Sequence, residues 1–103
     1  VDDFALSMSA VDEVFGRLED ASKTGWTTPG SAAEAAELVD LLRVSLDGTS
    51  LNEDLVFRRL ATGSIERATA LETALVDGDR DAALRQVMAL AATCSACHDR
   101  FRN

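Results

Sequence analysis

Apolar residues recur at helical spacing in four stretches of the chain, and no useful length alternates as a strand would. The first stretch runs from about Asp3 to Lys23, with Phe4, Met8, Val11, Phe15, Leu18 and Ser22 on one stripe. Thr24-Gly25 ends it, and Trp26 to Gly30 reads as a loop. Two helix-start signals then overlap. Thr28-Pro29 fits an N-cap followed by proline in the first turn, and Ser31 with Glu34 fits a capping box. The second stretch carries Ala35, Leu38, Val39, Leu42 and Leu46 and stops at Gly48, read as a glycine just past a helix end.

Ser50-Leu51-Asn52-Glu53 is another capping box and opens the third stretch, whose stripe is Phe57, Leu60/Ala61, Ile65, Ala68, Leu71 and Leu75. Gly63-Ser64 interrupts it at a cost of roughly 1 kcal/mol relative to alanine, which allows a bend. Gly78 closes the third stretch, and Asp79 caps a fourth with Leu84, Val87, Met88, Ala91, Cys94, His98 and Phe101 on one face. Four amphipathic helices with short connections predict an all-α fold, an antiparallel up-down-up-down four-helix bundle. No linker, repeat or low-complexity tract divides residues 1–103, so the expectation is a single domain.

Composition narrows the function. Asp and Glu number 18 against 10 Lys and Arg, a net charge of −8. That balance opposes nucleic-acid binding, which needs cations on phosphates, and opposes anionic lipid for the same reason. Lys23 is the only lysine, so there is no lysine-rich docking face, and a charged partner is expected to meet acidic patches. No run of 18 apolar residues exists to span a membrane. Val1-Asp2-Asp3 is unlike a signal peptide, which is compatible with a mature, processed chain without showing it.

The chemistry is concentrated in Cys94-Ser95-Ala96-Cys97-His98, which matches C-x-x-C-H, the c-type haem attachment pattern. Two thiols at i and i+3 share a helical face and can add to the two haem vinyl groups. The adjoining histidine can reach the iron as proximal ligand. A zinc site would want four ligands, and no Cys or His exists beyond these three. A redox dithiol belongs beside a βαβ unit, and a disulfide between Cys94 and Cys97 would distort a helix while closing almost no loop.

Bundle geometry extends the site. His98 is five residues before the last residue, and Met8 is about five residues into the first helix. At a rise of ~1.5 Å per residue both lie ~7–8 Å from one end of the bundle, where the first and fourth helices are antiparallel neighbours. The end of the second helix and the start of the third reach the same level. The haem is expected there, with Met8, Val11, Phe15 and Phe57 around it. Its placement level with His98 favours Met8 as a sixth iron ligand, and hence electron transfer, over a core residue that lines the pocket of a five-coordinate iron. Met88 precedes His98 by ten residues on the same helix and cannot cross the haem plane.

These residues resemble a class II c-type cytochrome, the cytochrome c′ family and its low-spin, Met-ligated relatives. The resembling features are Cys94-Ser95-Ala96-Cys97-His98-Asp99-Arg100-Phe101-Arg102, four helices, and Met8 in the first helix. The resemblance implies one covalent haem c, with Phe101 and Arg102 following the haem histidine and Arg102 over its proximal side. It implies electron transfer with redox partner proteins if Met8 binds the iron. It implies binding of small gases such as nitric oxide or carbon monoxide if the iron stays five-coordinate. A haem-bearing module docked to a larger redox partner is a third reading. Haem attachment and thiol chemistry point to the periplasm or another compartment outside the cytoplasm. No spare His exists for a distal acid–base role, and pairs such as Asp2-Asp3 or Glu53-Asp54 read as helix-start charges, so enzymatic turnover is not expected. The resemblance also implies a homodimer through the first two helices, with Ala33, Leu41 and Val44 as contacts. The chain departs from the family in its trimmed second connection and in Phe4, which stands where an arginine is often found. Arg58 and Arg59 are the substitutes for pairing with the haem propionates.

Overall fold

The computed structural model describes the backbone of residues 3–27 and 29–101, and their side chains apart from those of 3–5, 52 and 101. Four helices follow one another: α1 (Asp3–Lys23), α2 (Ser31–Asp47), α3 (Leu55–Asp77) and α4 (Arg80–Phe101), with a short 3₁₀ turn at Ser50–Glu53. No strand occurs among the described residues. Helices adjacent in the chain pack against each other, and α1 and α4 close the ring. This is the four-helix bundle expected from the periodicity. The α3–α4 contact is the most extensive and the α1–α4 seam the thinnest.

The helix ends obey local chemistry, though not always at the expected residue. Asp54 caps α3, its Oδ1 accepting hydrogen bonds from Val56 N (2.8 Å) and Phe57 N (3.0 Å). Ser50-Leu51-Asn52-Glu53 therefore does not open α3. It winds a 3₁₀ turn capped by Thr49, whose Oγ1 accepts from Leu51 N at 3.2 Å. Nor does Ser31 cap α2. Gly30 holds that position with φ 93°, Ser31 is buried, and Glu34 is drawn to Arg17 of α1 at 2.8 Å. Thr28 lies outside the described residues. Asp79 caps α4 as expected, accepting from Ala82 N at 3.0 Å. Gly78 ends α3 in the left-handed region (φ 74°), where a side chain would be strained. Gly48 ends α2 without that conformation, at φ −95°.

The core draws on all four helices. Met8, Val11, Val14, Phe15, Leu18, Leu38, Val39, Leu42, Leu71, Val87 and Leu90 belong to one buried cluster. A second cluster, Leu46, Phe57 and Ala61, has Cys97 packed against it. The pass through Gly63-Ser64 is unbroken helix, and the buried Ser64 donates its hydroxyl to Leu60 O (2.9 Å), so its burial leaves no unpaired donor.

One stripe differs from the expectation. On α4 the buried residues are Ala83, Val87 and Leu90, while Leu84 and Met88 are 43% and 65% exposed. Ala83 belongs to the same buried cluster as Ala68 and Ala74 of α3. Leu71 is fully buried and lies outside the cavity described below. Leu71→Ala should lower unfolding free energy by roughly 2–5 kcal/mol in a denaturant titration while leaving any cofactor spectrum unchanged.

Candidate functional site

At one end of the bundle the four helices enclose a narrow cavity of about 30 Å³, partly open to solvent. α1 contributes Met8 and Val11, α2 Leu42 and Leu46, α3 Phe57, Ala61 and Ser64, and α4 Cys94, Cys97 and His98. The lining is almost wholly apolar apart from the two thiols, the imidazole and a serine hydroxyl. That space is far smaller than a cofactor pocket, so a macrocycle would enter only with the helix ends parted. Cys94 and Cys97 are free thiols, three residues apart on one helix face.

Five of the residues expected around the site therefore meet with His98 in this cavity: Cys94, Cys97, Met8, Val11 and Phe57. Phe15 is buried deeper in the main cluster and does not line it. The side chain of Phe101 and the whole of Arg102 lie outside the described residues. Arg58 and Arg59 are exposed and line grooves outside the cavity. Leu42, Leu46, Ala61 and Ser64 complete the walls without having been singled out. The signal for the two leucines was present, since they end the α2 stripe at the level of His98.

Asp12 is the other addition. Its Oδ1 lies 3.5 Å from His98 Nε2, joining α1 to α4 across the thinnest seam. It stands one residue beyond Val11, at the polar edge of the α1 stripe, and nothing in the periodicity marks it. Nε2 is also one of the two imidazole nitrogens that can bind a metal. Iron at that atom and a direct Asp12 contact exclude each other.

Burial pushes the Cys94 thiol up to about 11 from its ordinary value of 9.0, with the Asp12 carboxylate the next cause. Burial also pushes Cys97 up. In the cofactor-free chain both thiols are therefore protonated at neutral pH. Iodoacetamide should label folded Cys94 much more slowly than the urea-unfolded chain, with the rate rising as pH climbs toward about 11. Because the folded value is raised, the neutral thiol contributes stability below pH 9.0 that is lost as pH rises through about 11. Equal labelling of folded and unfolded protein at pH 8 would contradict the burial.

The donor set suits a macrocycle better than a bare ion. Among the described residues no three His, Cys, Asp or Glu side chains converge as a metal-ion site requires. Two thiols and an imidazole spread along one helix, facing apolar walls, match the separate points at which haem c is held. Fold and motif together define a c-type cytochrome built on a four-helix bundle. The family model described as Cytochrome C′ matches residues 52–102, which span α3 and α4. The chain belongs to this family, the class II c-type cytochromes, whose cofactor is haem c. Comparison with curated proteins and with solved structures gives no significant match.

Proposed function

We propose that the chain is a single-haem electron-transfer cytochrome, its haem bound through thioethers to Cys94 and Cys97. His98 is the proximal iron ligand and Met8 the sixth. The observation that carries this reading is that Met8 of α1 and His98 of α4 line one cavity with both thiols. When bound, the haem supplies a one-electron couple at iron. The chain supplies the thiols, the axial nitrogen and sulfur, and the apolar walls of Val11, Leu42, Leu46 and Phe57, which exclude water and favour the less charged ferrous state. A thioether ligand needs no deprotonation and suits such a pocket.

The five-coordinate, gas-binding reading draws on the same apolar walls, with Met8 then a lining residue. A periplasmic setting is proposed from the family, whose members are typically periplasmic; no described helix is long and apolar enough to cross a membrane. A homodimer is proposed through α1 and α2, on which Ala33 and Val44 are exposed while Leu41 packs against the core.

Attachment is tested by mass. The holoprotein should exceed the mass of its sequence by one haem, and acid-acetone should leave the colour on the protein. Extractable haem, or a mass equal to the bare chain after maturation with the haem-attachment machinery, would end this reading.

A further inference from the structure

One groove adjoins the cavity on the outer side of its α2–α3 wall, and a second lies beside that groove on α3. Arg43, Leu46, Asp47, Arg58, Ala61 and Thr62 line the first. Leu55, Arg58, Arg59, Thr62 and Glu66 line the second. Leu46 and Ala61 belong to both the first groove and the cavity, so the same two side chains separate the surface from the cofactor space. Arg58 and Thr62 are common to the two grooves, which makes one continuous face.

That face is unusual for this chain. Its three arginines against Asp47 and Glu66 leave it positive, while the chain as a whole carries −8. Arg43, Arg58 and Arg59 are all exposed, and among the described residues none of them forms an ion pair. Arg17, by contrast, is closed on Glu34 at 2.8 Å. Unpaired guanidiniums keep their donor forks for carboxylates. Leu55, 69% exposed, adds an apolar contact beside them. Arginine with exposed aliphatic side chains is the composition that protein interfaces favour at their energetic centres.

We propose that this α2–α3 face is the docking surface for a redox protein with an acidic surface, and that one electron passes between it and the haem across the wall of Leu46 and Ala61. This rests on the haem-protein reading above. In the step, ferrous iron becomes ferric, the partner's acceptor gains one electron, and no bond or proton moves. The complementarity is local. The acidic remainder of the chain steers such a partner away from other faces.

The test uses the reduced holoprotein and two outer-sphere oxidants of opposite charge, hexacyanoferrate(III) and tris(phenanthroline)cobalt(III). Arg58→Glu with Arg59→Glu should slow oxidation by the anion about tenfold at low ionic strength and speed oxidation by the cobalt complex. A control with the same change in net charge, Lys23→Glu with Arg80→Glu at the opposite end of the bundle, should alter each rate far less. Equal effects of the two variants, or none from the first, overturn the proposal. A change in sedimentation confined to the Arg58/Arg59 variant makes the face a contact between copies and also overturns it. Both variants replace exposed side chains and should keep the wild-type haem spectrum. Wild-type protein without bound haem would instead overturn the function on which the proposal rests.

Discussion

Cys94→Ala combined with Cys97→Ala is expected to abolish covalent haem completely and to leave a chain without a sharp thermal transition. The two thiols sit at the cavity, and Cys97 packs against the cluster of Leu46, Phe57 and Ala61. With the haem absent, this end of the bundle is held by that small cluster together with Met8, Val11 and Leu42, with no cofactor bulk between the helices. A 103-residue bundle has little stability to spare, so loss of apolar burial at one end is felt throughout. Single substitutions should retain the haem through one thioether with a shifted absorption maximum. Circular dichroism and calorimetry on the double variant provide the check. Native helicity with a cooperative melt at the wild-type temperature would show that α3–α4 packing suffices without the cofactor.

Met8→Ala has the second large effect, and the readout that distinguishes it is the spin state. Wild-type protein is expected to be low-spin and six-coordinate, with a weak sulfur-to-iron charge-transfer band in the ferric form. The variant should turn high-spin and bind carbon monoxide at once, because alanine removes the only thioether that lines the cavity. Met88 cannot replace it, being on α4 with His98 and 65% exposed. The cost in stability is that of a buried methionine, roughly 2–5 kcal/mol, partly recovered if water or gas fills the space. Wild-type protein that is already high-spin and binds carbon monoxide freely would move the function to gas binding. Covalent attachment and the bundle would stand.

The contrast between these residues shows why some of the site could be read in advance. Cys94, Cys97 and His98 are contiguous, so their chemistry is local and survives any error in the fold. Met8 was reachable by one further step, counting helical rise from a shared bundle end. Asp12 was not. It lies at the boundary between the buried and exposed faces of α1, and only the rotation of α4 brings His98 Nε2 within 3.5 Å of it. The arginine face is similar: Arg43 and Arg58 lie on different helices, and no spacing within either helix announces their meeting.

Helix number, order and approximate ends were determined by the sequence itself, because apolar period, caps and left-handed glycines act within a few residues. The same holds for the attachment motif and for the acidic balance that excludes nucleic acid. Only the tertiary structure decided which of two neighbouring stripes on α4 is buried. Leu84-Met88 and Ala83-Val87-Leu90 have the same period, and only the second belongs to the core shared with the other helices. It likewise decided that Asp54 rather than Ser50 begins α3, that Glu34 pairs with Arg17 instead of closing a capping box, and that Phe15 lies in the core beyond the cavity. Each of these is a competition between nearly equal local options. Such competitions are settled by contacts from other helices, whose positions no single segment encodes.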